Sequence, residues 1–263
     1  MIKEEMMRKL LLMIIACVIM QGVQAQQNDS IRVLWVGNSF TFFNELPDMF
    51  QNIASTQGMN VSNTRVLKGG ESFSGHLKNK NLIEIFKKGG FDYIILQEQS
   101  SMPANHTAIV EKEVYPYAKQ LNDLALKGSP KAKVIFYMTW GHKYGNIRAT
   151  ESYPLDHTYE GMQERLKTSY LEMAYDNKAW CAPVGMAWKT IRSQRPYLQL
   201  YRQDGFHPSS LGTYLAANTI FATIVQRHFQ SDDIEGLERE TAEYIQQIAQ
   251  ETVLNNLNLL NIK

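Results

Sequence analysis

Five short apolar runs punctuate the chain with helix-patterned segments between them, and this alternation leaves few folds open. The runs are IRVLWVG (31–37), NVSNTRVL (60–67), FDYIILQ (91–97), AKVIFYMTW (132–140) and a shorter KAWCAPV (178–184). Strands that are apolar almost throughout are those buried on both faces of a parallel sheet. Between them, NELPDMFQNIASTQG (44–58) ends on a glycine stop. The stretch TAIVEKEVYPYAKQLNDLALKG (107–128) has apolar residues at helical spacing, with Pro116 set to bend it. The pattern predicts an α/β fold: a single three-layer α/β/α domain around a parallel five-stranded sheet. With 263 residues, 44% of them hydrophobic, the chain can bury a full core, and no linker divides it.

The N-terminus departs from this pattern. Lys3, Arg8 and Lys9 precede the apolar run LLLMIIACVIM (10–20), after which Val23 and Ala25 are the small residues before a cut. Residues 1–25 therefore read as a secretory signal peptide and 26–263 as the mature domain, exported to the periplasm or beyond. The run is short for a permanent anchor and no comparable segment follows, so no membrane span is expected in the mature protein. A competing reading takes IIAC as a lipid-attachment box ending at Cys17, but Val18 to Met20 continue the apolar run past it.

A cut after Ala25 removes three basic and two acidic residues from 27 and 26, leaving 24 of each. That balance gives a nucleic-acid partner no electrostatic footprint. Cys17 would leave with the signal, so Cys181 has no intrachain partner and is expected to pack as a small hydrophobe at a strand end.

Two further segments bear on organisation. WGHKYGNIRATESYPLDHT (140–158) lacks periodicity and reads as a long loop at the carboxyl end of a strand, where open α/β sheets place ligands. Residues 234–257 are amphipathic, with Leu237, Tyr244, Ile245, Ile248 and Val253 on related turns. They are expected to pack on the domain, an interaction helix being the alternative.

The chemistry gathers at VLWVGNSFTFFNELPDMF (33–50), where the first strand runs through Gly37, Asn38 and Ser39 into a helix. This leaves the Ser39 hydroxyl at the sheet's carboxyl edge, with backbone N–H groups directed at the same space. A serine needs a base within hydrogen-bond reach, and the base needs an orienting partner. Of the six histidines, His76, His106, His142, His157 and His228 have no companion carboxylate at suggestive spacing, and none forms an HExxH pair or a Cys/His cluster, so no catalytic zinc is expected. His207 differs: DGFHPSSLG puts Asp204 three residues ahead of it, with Gly205 allowing a tight turn and Pro208, Ser209 and Ser210 opening a helix. Either motif alone is an ordinary helix cap. One follows the first strand and the other precedes a late helix, so a doubly wound sheet can bring them to one edge.

On these residues the chain resembles the SGNH (GDSL-like) hydrolases over most of its mature length. The family's first block, Gly-Asp-Ser-Leu, corresponds to GNSF, with Ser39 the implied nucleophile; its last block, Asp-x-x-His-Pro, is present in full as DGFHP. The second block, which supplies a glycine N–H to the oxyanion hole, corresponds to LKGGESF, with Gly69 and Gly70 available and Gly70 favoured. The third block departs from the family's Gly-x-Asn-Asp: the chain has IILQEQSS, so Gln97 or Gln99 must replace the asparagine amide. Here it is similar to SGNH carbohydrate esterases with a Gln-Gly-Glu motif, and it looks most like a branch of secreted bacterial proteins carrying Gly-Asn-Ser-Phe-Thr.

The chemistry implied is attack of Ser39 on an ester carbonyl, with His207 as base, Asp204 fixing the tautomer, and the N–H of Ser39, a glycine N–H and a glutamine amide receiving the oxyanion. No cofactor is called for. The resemblance favours short acyl esters, commonly O-acetyl groups on sugars, as a small-molecule or glycan substrate. Trp140 and Tyr144, beside glycines in the loop, are candidate sugar contacts, whereas Tyr137 and Trp188 are expected in the core. The alternative function is a non-catalytic glycan-binding or surface-interaction domain on the same fold. A phosphate-loop reading of GNSFTFFN leaves Asp204 and His207 unexplained.

Overall fold

The computed structural model describes residues 30–146 and 153–262. The expected signal segment, residues 1–25, lies outside them. Strand β1 (Ile31–Gly37) lies beside β2 (Val61–Leu67) on one side and β3 (Tyr93–Leu96) on the other; β4 (Lys133–Tyr137) and β5 (Trp180–Ala182) complete a five-stranded sheet in the order β2-β1-β3-β4-β5. Every pairing is parallel, in registers such as Val36 with Val66 and Val36 with Leu96. Strand β1 coincides with its apolar run, and the other four are shorter than theirs by one to four residues.

Burial follows position in the sheet. Val33 to Val36 in β1 and Ile94 to Leu96 in β3 are fully enclosed, which needs the near-continuous apolar sequence seen there. Edge strand β2 carries Ser62, Asn63, Thr64 and Arg65, which blunt an otherwise open rim. At the other edge, Cys181 N–H donates to Leu260 O at 3.0 Å, so the C-terminal segment covers β5. Cys181 is buried as expected, and burial pushes its thiol far above the ordinary range.

Helices fill the connections: α1 (Ser39–Phe42), α2 (Leu46–Thr56), α3 (Phe73–His76), α4 (Lys80–Lys88), α5 (Thr107–Glu113), α6 (Tyr115–Gly128), α7 (Tyr159–Asp176), α8 (Val184–Gln194), α9 (Ser210–Val225) and α10 (Arg239–Leu254). The stretch around Pro116 is two helices rather than one bent helix. The break falls at Val114 (φ −125°, ψ −59°), which frees the carbonyl a proline ring would strike and leaves Pro116 in the first turn of α6. Helix α10 packs on α8 and α9, burying Ile245, Ile248 and Val253, so the amphipathic C-terminal stretch belongs to the domain. Among the described residues no helix is long and apolar enough to cross a membrane.

Residues Ile31–Lys263 form one compact unit. Part of its core is a stack of rings: Phe40 on Trp140 (4.8 Å, 9°) and Trp140 on Trp188 (3.9 Å, 5°), with Tyr201 edge-on to Trp188 at 5.0 Å. Phe40 directly follows Ser39, so the residue beside the serine is anchored at the end of this stack. The strand order reverses between β1 and β3, and the crevice at their carboxyl ends is where this architecture receives ligands.

Candidate active site

The first turn of the site is built by close backbone approach. Gly37 ends β1 where a Cβ would stand 2.7 Å from Thr41 Oγ1 and 2.8 Å from Gln97 Oε1, so only glycine fits. Asn38 then caps α1: its Oδ1 accepts from Phe40 N–H at 3.1 Å, while its Nδ2 donates to the carbonyls of Glu71 (3.0 Å) and Glu98 (3.3 Å). An ionised aspartate could not donate those two bonds, so the asparagine amide ties the loops after β1, β2 and β3 together. His76, expected to be ordinary, supports the same turn from below, its Nε2 lying 3.0 Å from Gly37 O; burial lowers its pKa and keeps it neutral.

Ser39 opens α1 with its hydroxyl toward the cleft, and His207 Nε2 lies 2.8 Å from Ser39 Oγ. On the far side of the imidazole, Nδ1 lies 2.8 Å from Asp204 Oδ2. Asp204 Oδ1 is occupied separately, accepting from the N–H groups of Phe206 (3.0 Å) and His207 (2.9 Å). Partial burial, the largest single influence on Asp204, raises its pKa, but the Phe206 N–H, the imidazole and the His207 N–H together bring it below the ordinary value. With the carboxylate ionised, Nδ1 carries the imidazole proton and Nε2 is free to accept from the serine. Gly205 (φ +78°) supplies the left-handed step of this turn. The imidazole is held between Phe43 and Phe206, each at 4.3 Å.

The pair opens on a cleft of about 280 Å³ lined by Asn38, Ser39, Phe40, Gly70, Gln99, Ser100, Ser101, His142, Asn146, Phe206 and His207. Among the described residues, the backbone N–H groups of Ser39 and Gly70 donate to no other protein group. Gly70 (φ +68°) is thus a free donor at the cleft wall.

The two glutamines separate. Gln97 is fully buried beneath the turn: its Oε1 accepts from Asn38 N–H and Thr41 Oγ1–H, both at 2.9 Å, and its Nε2 donates to Glu98 O. It braces the turn, fully buried, and does not line the cleft, which corrects its expected place in the oxyanion hole. Gln99 lines the cleft: its Oε1 accepts from Ser101 N–H (2.9 Å), Ser101 Oγ–H (3.0 Å) and Met102 N–H (3.0 Å), leaving its Nε2 without a protein partner among the described residues.

Trp140 is a second correction. It is fully buried within the ring stack, and its Nε1 donates to Phe206 O at 3.0 Å, so it supports the turn carrying His207 and meets no ligand. Tyr137 and Trp188 are buried as expected. Tyr144 is 72% exposed; it lies over Gly205 beside the cleft and is not among the residues that line it. His142, two residues from Trp140, does line it, as do Ser100, Ser101, Asn146 and Phe206, which sequence reasoning passed over. The only signal for His142 was its place in the loop after the fourth strand.

A doubly wound parallel sheet with this strand order, and a serine, histidine and carboxylate brought together at its switch point, defines the class as a flavodoxin-like α/β protein. No family model matches the chain, and no curated protein does. Solved structures do. A candidate SGNH hydrolase from Slackia heliotrinireducens is 25% identical with a TM-score of 0.60, covering 74% of this chain and 100% of its own. A DUF4886 family protein from Bacteroides uniformis is 19% identical with a TM-score of 0.66, covering 89% and 97%. An acetyl xylan esterase variant from Geobacillus stearothermophilus is 14% identical with a TM-score of 0.51, covering 76% and 97%. These similarities support assigning the fold to the SGNH-like superfamily.

Proposed function

We propose that this protein is an exported serine esterase that hydrolyses short acyl esters, chiefly O-acetyl groups on carbohydrates. The observation that carries the reading is the unbroken hydrogen-bond chain from Asp204 through His207 to Ser39, opening on a cleft with free N–H donors.

In the first step His207 Nε2 takes the hydroxyl proton as Ser39 Oγ bonds to the acyl carbon, and the carbonyl electron pair moves onto oxygen. The N–H groups of Ser39 and Gly70 and the Gln99 amide receive that oxyanion; one such donor contributes on the order of 3 kcal/mol of transition-state stabilisation. Collapse breaks the bond to the alcohol oxygen, which takes the proton from His207. Water then repeats the sequence on the acyl-serine, releasing the acid and returning the proton to Ser39. Every step draws on the chain, the substrate and water alone.

Export rests on Lys3, Arg8 and Lys9 ahead of the apolar run at 10–20. The carbohydrate half rests on the polar wall of Gln99, Ser100, Ser101, His142 and Asn146, and one fold neighbour, an acetyl xylan esterase, puts acetylated glycans among the esters to try first. The direct test is p-nitrophenol release from its acetate by mature protein, with Ser39→Ala and His207→Ala alongside. Equal rates for all three would remove these residues from the reaction. Sugar binding without acetate release from any acylated glycan would favour a binding module.

A further inference from the structure

Glu98 sits between the two glutamines in the loop after β3; it is fully enclosed and does not line the cleft. Its Oε1 accepts from Phe73 N–H at 3.0 Å and from Gln99 N–H, and its Oε2 lies 3.1 Å from the same Phe73 nitrogen. Phe73 stands three residues beyond Gly70 in the segment after β2. The carboxyl therefore joins the two loops that bring Gly70 and Gln99 to the cleft wall. Asn38 Nδ2 joins the same loops through the carbonyls of Glu71 and Glu98, so the carboxyl adds a second fastening, and this one ends on Gln99 itself. The Gln99 side chain is held in turn by Ser101 and Met102. Burying a carboxyl against two neutral N–H donors is costly, since an amide would accept the same bonds with no ionisable group to desolvate. Departures of this kind collect where position serves a site.

We propose that Glu98 is a positioning residue for the oxyanion hole, setting the gap between the Gly70 N–H and the Gln99 amide through its bonds to Phe73 and Gln99. The inference rests on the esterase reading, in which both donors receive the carbonyl oxygen. They stabilise that oxygen only at hydrogen-bond distance, so a carboxyl that fixes their loops governs the rate without touching substrate. Loss of this strap weakens binding of the transition state more than binding of the ester.

The test is p-nitrophenyl acetate hydrolysis by the mature protein and by Glu98→Leu, Glu98→Asp and Glu98→Gln, each with and without Gln99→Ala, circular dichroism serving as the folding control. Glu98→Leu removes the acceptor and Glu98→Asp draws it back by one methylene. Each should lower kcat about ten- to a hundredfold while KM stays within about twofold of wild type. Glu98→Gln, whose carbonyl can still accept from both N–H groups, should recover most of that loss. The factor lost on Gln99→Ala should shrink several-fold in the Glu98→Leu and Glu98→Asp backgrounds, because the amide is already displaced; a merely structural residue would show no such coupling. If Glu98→Leu does not fold, Glu98→Asp decides by the same criteria. A folded Glu98→Asp protein with wild-type kcat, or Gln99→Ala losing the same factor in every background, would overturn the positioning role and leave the esterase reading standing. A wild type that releases no p-nitrophenol would instead overturn the esterase reading, and the positioning role with it.

Discussion

His207 Nε2 and Ser39 Oγ stand 2.8 Å apart although 168 residues separate them in the chain. Asn44 helps close that distance. It adopts a left-handed conformation (φ 52°) between α1 and α2 and donates from Nδ2 to Pro208 O at 3.1 Å and Thr213 Oγ1 at 2.8 Å, fastening the serine's helix to the histidine's turn. Packing of α2 on α9 continues the same junction.

Asn44→Ala should therefore lower stability by about 1–3 kcal/mol, because it removes both bonds and puts a less tolerant residue at positive φ. Asn44→Gly should recover only the backbone part. Urea unfolding of the two variants beside their esterase rates measures this; an Asn44→Ala protein as stable and active as wild type would show the clasp to be dispensable.

Asp204→Asn tests the tautomer. Its Oδ1 can still accept from the Phe206 and His207 N–H groups, which leaves an amide N–H facing His207 Nδ1 and forces the imidazole proton onto Nε2. The ring then cannot accept the serine proton, and kcat should drop by roughly 10⁴ with the fold intact. Steady-state rates with circular dichroism as the folding control decide it.

The two glutamines should respond in opposite ways. Gln99→Ala should reduce kcat by about 10²–10³ with a small change in melting temperature if its cleft-lining amide receives the oxyanion as proposed. Gln97→Leu should chiefly destabilise, by about 1–3 kcal/mol, since it strips the partner from the buried Asn38 N–H. The reverse pattern would return Gln97 to the oxyanion hole.

Glu98 gives a pH dependence of stability. It is fully buried, and burial, the largest influence, raises its carboxyl from an ordinary 4.5 to about 8, against the lowering effect of N–H donors from Gln99 and Phe73. The folded chain thus keeps a proton that the unfolded chain releases, so this group's contribution is fully present below pH 4.5 and is lost as pH rises through about 8. Glu98→Gln, which can still accept from both N–H groups, should flatten this part of the profile by on the order of a few kcal/mol between pH 5 and pH 8. Chemical denaturation at the two pH values reads the difference; equal slopes in both proteins would deny Glu98 the role.

The alternation of apolar runs and amphipathic helices was enough to specify the parallel sheet, because burial on both faces demands that pattern locally, strand by strand. The Asp204-x-x-His207 turn was legible for the same reason: one tight turn with Gly205 sets both its ends. Gln97 and Gln99 look alike in the chain, and Trp140, the candidate contact, and His142, the ordinary histidine two residues on, exchange places in the folded molecule. What a side chain in a loop can offer a ligand depends on whether its polar atoms are already taken, or its ring already covered, by residues far off in sequence. Gln97 is claimed by Asn38 and Thr41, and Trp140 by Phe40 and Trp188, while Gln99 and His142 keep a face on the cleft. Those partners come together only when the sheet closes, so the contents of the cleft were decided by tertiary contacts that no local pattern encodes.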